Sequence, residues 1–214
     1  MRRYLLFLLI IAGIQLNAQP SLKGGLGNFV QSNKVYPRYS LANCIQGTVN
    51  IAFKLDRNGR VYYSEVRKGV GTDLDDEALR LIRMSSGKWI VPADHDTTLS
   101  IIAPINFALS DCVGKSAREV KEAIEAYKAT TDLTNAVLNY YRNIELGKPL
   151  GITFARVTEL KATLGIDEDY LQRRLEDGKK KLKQKDNQGA CEDFKFVKYM
   201  GSKIADELLA KYCK

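Results

Sequence analysis

Apolar and polar residues alternate along two stretches of this chain and recur at helical spacing along several others. From Gly47, Val49, Ile51, Phe53 and Leu55 share one parity, so this run predicts a half-buried strand. Asp56-Arg57-Asn58-Gly59 supplies turn chemistry, with Gly59 able to take a positive φ. Arg60 to Lys68 answers as a second strand and directs Val61, Tyr63 and Val66 toward the core. Leu74, Ala78, Leu81 and Ile82 then recur at spacings of three and four, which predicts a helix with one buried stripe and Thr72 or Asp73 as its cap. Trp89 follows this helix, and Pro92 prevents its continuation. Leu99, Ile101, Ala103, Ile105, Phe107 and Leu109 share a parity, so Thr98 to Leu109 predicts a third strand. Pro104 lies on the other parity and cannot donate to a ladder, which marks an edge or a bulge. Pro37 suits the first turn of a short helix reaching Cys44, and Gly24-Gly25-Leu26-Gly27-Asn28 reads as part of a flexible lead-in.

Strand-like alternation disappears beyond Cys112, where Lys, Glu, Ala and Leu dominate. Ser116 with Glu119 forms a capping box. Val120, Ile124 and Tyr127 repeat at helical spacing, and a further segment holds Ala136, Val137, Tyr140 and Tyr141. Gly147-Lys148-Pro149-Leu150-Gly151 interrupts the pattern. Phe154 to Leu164 reads as a helix ended by Gly165, and Asp167 opens another that runs to about Lys185. The tail from Asn187 to Cys213 reads as a helical hairpin turning at Gly201-Ser202. The chain therefore divides into an α+β part, with a small three-stranded antiparallel sheet and two helices, and an all-α helical bundle. The expected boundaries are 19–35 for the lead-in, 36–112 for the α+β domain and 113–214 for the helical domain.

The first 18 residues read differently. Arg2 and Arg3 precede an apolar run from Tyr4 to Ile14, and Leu16-Asn17-Ala18 suits a signal peptidase. A spanning helix needs about 20 apolar residues, whereas Gln15 and Asn17 interrupt this run early. The reading is a cleaved signal peptide over 1–18, leaving 196 of the 214 residues without a membrane span. Removing Arg2 and Arg3 lowers the formal charge from +8 to +6. The basic run Lys179 to Lys185 lacks interleaved aromatic residues, so we read it as a solvated helix face and expect no nucleic-acid partner.

Cys44, Cys112, Cys191 and Cys213 all follow the signal. An even number in an oxidising compartment implies two disulfides, with three pairings available. Sequence position favours Cys44 with Cys112 and Cys191 with Cys213, each pair stapling one region. Cys191 and Cys213 lie ten and twelve residues either side of Gly201, so antiparallel helices would bring them together. The sequence has no C-x-x-C, and His95 is the single histidine, so zinc is not expected.

Catalytic chemistry is sparse. A serine or cysteine triad needs a histidine base, and His95 lies in the polar stretch Ala93-Asp94-His95-Asp96-Thr97. There is no P-loop, G-x-S-x-G or H-E-x-x-H. The expectation is a binding module, with no enzyme activity, cofactor or metal.

The order of signals from Tyr36-Pro37 through the alternating strands, the Asp56–Gly59 turn, the helix carrying Ala78 and the closing Trp89 to Pro92 resembles the C-terminal domain of the TonB family. That resemblance implies an α+β module that grips extended peptides in the periplasm, with Trp89 sealing helix against sheet. It also implies that Thr98, Leu99, Ser100, Ile101, Ile102 and Ala103 form the pairing strand. The partner would be an envelope or outer-membrane protein with an extended segment. The same margin is also open to coverage by Cys112, by the helical region or by a second copy, which would give a homodimer. The final hairpin resembles one tetratricopeptide or Sel1-type repeat unit. A long Pro-rich spacer is missing, which separates the chain from energy-transducing members. The alternative reading retains Tyr4 to Leu16 as an anchor and makes the chain such a transducer.

Overall fold

The computed structural model describes residues 19–112 and 114–213. The signal-peptide reading of 1–18 lies outside the described residues. β1 (Ser21–Leu22) leads into α1 (Leu26–Asn33) and α2 (Arg38–Ala42), followed by the hairpin β2 (Gly47–Leu55) and β3 (Val61–Lys68). α3 (Asp73–Met84) then leads to the short β4 (Trp89–Ile90) and to β5 (Ile101–Phe107). Three antiparallel strands lie in the order β3-β2-β5, while β1 pairs with β4 as a separate two-stranded ribbon.

The core of this α+β part follows the alternation. Val49, Ile51, Phe53 and Leu55 are buried beneath Leu74, Ala78, Leu81 and Ile82 of α3. Trp89 closes one side, its ring 5.0 Å from Phe53 and its Nε1–H donating to Ser85 Oγ at 2.8 Å. Gly59 is required in the hairpin turn: its φ is +73°, and a Cβ there would strike the Trp89 carbonyl.

Three local expectations need correction. The lead-in 19–35 is structured. Ser21 and Leu22 pair with Ile90 and Trp89, Leu22 is buried, and Leu26, Phe29 and Val30 pack on the core at helical spacing. Second, Tyr63 points outward, and Ser64 takes its inward place. The ladder pairs Lys54 with Tyr63 but Leu55 with Val61, so an extra residue flips the parity of the strand. Third, Thr72 is the N-cap residue of α3, as expected, but its side chain makes no capping hydrogen bond. Asp73 instead accepts from the Tyr39 and Ser40 amides of α2, while Thr72 Oγ1 meets Ser40 Oγ at 3.1 Å.

The helical part contains α4 (Ala117–Glu145), α5 (Phe154–Thr163), α6 (Glu168–Lys183), α7 (Asn187–Tyr199) and α8 (Asp206–Tyr212). Ser116 and Glu119 make the reciprocal capping box at the start of α4, and Asp167 caps α6 through the Tyr170 amide. The two helical segments read around Val120 and Tyr140 are one helix of 29 residues, about 43 Å long. Its first half lays Val120, Ala123 and Ile124 against the α+β core, where Tyr39 Oη donates to the Ala123 carbonyl at 2.7 Å. Its second half buries Val137 and Tyr140 with Val157, Leu160 and Leu171. α6 and α7 approach closely because Gly178 leaves room for the Phe194 ring, which any Cβ would strike.

Both disulfides have the expected partners. Cys44–Cys112 and Cys191–Cys213 each hold Cα atoms 5.6 Å apart and close separations of 68 and 22 residues. The lysine run is not wholly a solvated face: Lys181 Nζ lies 2.7 Å from the buried carboxylate of Asp193, which Arg174 also approaches at 2.7 Å. Among the described residues no helix is long and apolar enough to cross a membrane.

Candidate functional site

A three-stranded sheet has two margins, and each exposes a row of backbone donors and acceptors unless something covers it. The two margins of this sheet are treated differently. Along β3 the inward-turned Ser64 meets the start of α7. Gln188 Oε1 accepts from the Ser64 amide at 3.0 Å and from Ser64 Oγ at 3.1 Å, and Gln188 Nε2 donates to the Ser64 carbonyl at 2.7 Å. One turn along, Glu192 receives both terminal nitrogens of Arg83 at 2.8 and 2.7 Å, and Arg83 Nε donates to Ser64 Oγ at 2.9 Å. The helical part thus closes this margin at its centre.

Among the described residues, no hydrogen-bonded cover lies on the first half of the β5 margin. β5 pairs with β2 without a register shift, and Asn50 lies opposite Pro104. Residues of an antiparallel strand alternate between directing their backbone groups toward one neighbour and toward the other. Ser64, opposite Phe53, turns its backbone groups away from β2 to Gln188, so Phe53 bonds toward β5 and its partner Ile101 faces inward; the Asn106 carbonyl accepts from Lys34 Nζ at 3.2 Å. Even-numbered residues of β5 therefore face outward, which places the missing N–H of Pro104 where no ladder bond is lost. Lys34 covers the Asn106 end. Ile102 directs its N–H and C=O away from β2, neither has a further hydrogen-bond partner among the described residues, and the residue is 51% exposed.

The start of β5 also borders a groove. Its floor includes Leu22, Leu26, Phe53 and Trp89, beneath Ile101 to Pro104. A second depression shares Pro20, Ile101 and Ile102 with the first and is lined by Gln19, Asp94, His95, Asp96, Leu99 and Ser100. His95 Nε2 is shielded from solvent yet has no hydrogen-bond partner among the described residues. Asp96 accepts from the Thr98 amide at 2.8 Å and from Thr98 Oγ1 at 2.7 Å; these bonds hold its carboxyl below the usual carboxylate range.

Of the residues expected to form the pairing strand, Ile101, Ile102 and Ala103 belong to β5, whereas Thr98, Leu99 and Ser100 do not. The Asp96 bonds to Thr98, and the Tyr62 hydroxyl on the Thr97 carbonyl at 2.7 Å, hold that segment in a turn. Alternation alone cannot reveal such a turn, because Leu99 keeps the parity of the strand. Lys34 and Gln188 left no signal in the sequence, since each acts on a strand distant along the chain. Leu22 and Leu26 were hidden by the surrounding glycines.

His95 with Asp94 and Asp96 forms an open groove wall. No group of three or more histidine, cysteine or acidic side chains among the described residues is arranged to hold a metal ion.

No curated protein and no solved structure matched the chain. Residues 32–109, which are 78 of its 214 residues and include α2, α3, the three-stranded sheet and its open margin, match the family model described as Gram-negative bacterial TonB protein C-terminal, and this segment carries that domain.

Proposed function

We propose that the chain is an exported envelope protein that captures an extended segment of another envelope or outer-membrane protein by adding it as a strand beside Ile101–Ala103. The open Ile102 backbone carries this reading. It is the first outward residue of a short margin whose far end Lys34 covers, and the one there that keeps an N–H, since Pro104 has none. The added strand gains main-chain hydrogen bonds there, and its side chains meet the groove floored by Leu22, Leu26 and Trp89. The match to a protein-interaction domain over residues 32–109 supports the same role. The two disulfides fit an oxidising envelope compartment. The helical part has a structural task, since Gln188 and Glu192 occupy the opposite margin.

The test is capture from envelope extracts by wild-type protein and by Ile102→Pro and Ile102→Val variants. Ile102→Pro removes an outward donor while leaving the inward ladder intact, as Pro104 already does. Capture lost with Ile102→Pro and kept with Ile102→Val supports strand addition. Equal capture by a folded Ile102→Pro variant refutes it. The same family match also favours an anchored transducer, and mass spectrometry of the N-terminus decides between the two. A chain beginning near Gln19 supports the exported form, and one beginning at Met1 in the membrane fraction supports the transducer.

A further inference from the structure

We infer that the segment captured at this margin carries a basic residue at the Asp94–Asp96 end, apolar residues opposite Ile101 and Ala103, and an acidic residue at the Lys34 end. This rests on the strand-addition reading and specifies the partner's chemistry.

The apolar requirement follows from the pleat. A strand bonded to Ile102 points the side chain opposite Ile102 away from the core, and its two neighbours lie opposite Ile101 and Ala103. Ala103 is buried and Ile101 half-buried, so those two neighbours face inward, over the apolar floor of Leu22, Leu26 and Trp89. A polar residue there would lose water without gaining a partner.

The charges follow from the two ends of the margin. The depression beside Ser100 is bordered by Asp94 and Asp96, and among the described residues no Lys or Arg lines it or the neighbouring groove. The contrast matters because the whole chain is basic, with 33 Lys and Arg against 25 Asp and Glu. Asp96 stays ionised under its Thr98 bonds. The shielded, unpartnered Nε2 of His95 offers one further polar contact to an incoming chain. At the other end Lys34 Nζ lies beside the outward Asn106 carbonyl, 5.6 Å from the centre of the Phe107 ring. From Ser100 to Asn106 a strand advances about 20 Å. A segment whose opposite charges stand about six residues apart would meet both ends at once. Each solvent-exposed pair changes affinity by about two- to five-fold, and this effect shrinks as salt rises.

Random nonapeptides displayed on phage and selected on the immobilised mature protein test this. Wild-type protein is expected to enrich an apolar pair at alternate positions, flanked by Lys or Arg on one side and Asp or Glu on the other. An Asp94→Asn/Asp96→Asn variant should lose only the basic preference. A Lys34→Gln variant should lose only the acidic preference. Ile102→Pro should abolish enrichment altogether. Peptides that depend on the Ile102 N–H but show no charge pattern would overturn this inference and leave strand addition standing. Enrichment indifferent to Ile102→Pro, or no enrichment by any form, would overturn both.

Discussion

The carboxamide of Gln188 sits against the backbone of Ser64 as a residue of a neighbouring strand would, accepting from its amide at 3.0 Å and donating to its carbonyl at 2.7 Å. A helix thereby closes the margin of a sheet with one side chain. Replacing Gln188 by Ala leaves both Ser64 groups without this partner. The expected loss is about 1–3 kcal/mol in urea unfolding. Exposure of the β3 margin should also promote self-association, visible as a concentration-dependent rise in light scattering. Unchanged stability and scattering would show that the contact is dispensable.

Arg83 is 8% exposed and joins three groups: Ser64, Glu192 and, at 3.9 Å, Asp186. Arg83→Ala should cost about 2–3 kcal/mol, below the range for a fully buried pair because Glu192 is half exposed. Arg83→Lys should recover little, since an ammonium cannot reproduce the two parallel bonds to Glu192. A double-mutant cycle of Arg83→Ala with Glu192→Ala isolates the pair and should give a coupling of about 1 kcal/mol or more.

Asp186 caps α7 by accepting from the Gly189 amide at 2.8 Å. Burial raises its pKa, opposed by that bond and by Arg83 and Lys181. With the folded pKa above the unfolded one, the proton is held more tightly in the folded state. The contribution of Asp186 is therefore greatest below the unfolded value of about 3.9 and declines as pH rises through the folded value. Asp186→Asn keeps a capping oxygen and removes the titration. Its stability relative to wild type should improve as pH rises through this window, measured by unfolding at several pH values. A constant difference would refute the assignment.

Each disulfide staples one part. By the chain-entropy relation, closing 68 residues contributes about 4 kcal/mol and closing 22 residues about 3 kcal/mol. Mass mapping without reduction should find Cys44 with Cys112 and Cys191 with Cys213. Cys191→Ser/Cys213→Ser should lower the melting temperature while leaving the sheet folded. Cys44→Ser/Cys112→Ser should loosen the junction between the two parts.

Ile101 and Ile102 are neighbours with opposite fates. Ile101 faces Phe53 across the ladder, so Ile101→Pro removes a bond inside the sheet and should unfold β5, costing about 3 kcal/mol or more. Ile102→Pro should retain the circular dichroism and nearly the stability of wild type. Similar loss of structure in both variants would contradict the parity assigned to β5.

Much of the architecture was legible because it rests on local periodicity. The burial of Val49, Ile51, Phe53 and Leu55, the α3 stripe and the capping box at Ser116 follow from spacing within one element, whereas the aromatic seal at Trp89 is implied by the family resemblance. The elements read less well depend on partners elsewhere. Ser21–Leu22 becomes a strand only because Trp89–Ile90 pairs with it. Ser64 replaces Tyr63 only because the register against β2 slips by one residue. Thr98 to Ser100 leave the strand because Asp96 and Tyr62 bind that segment into a turn.

By itself the sequence determined which residues avoid water and which cysteines can meet, because hydrophobic period and chain separation are properties of neighbours along the chain. Only the tertiary structure decided which side of the sheet remains available. That choice depends on Gln188 reaching Ser64, 124 residues away, and on Lys34 reaching Asn106, 72 residues away. A backbone hydrogen-bonding group looks the same in every residue, so its satisfaction is decided by what the fold brings beside it.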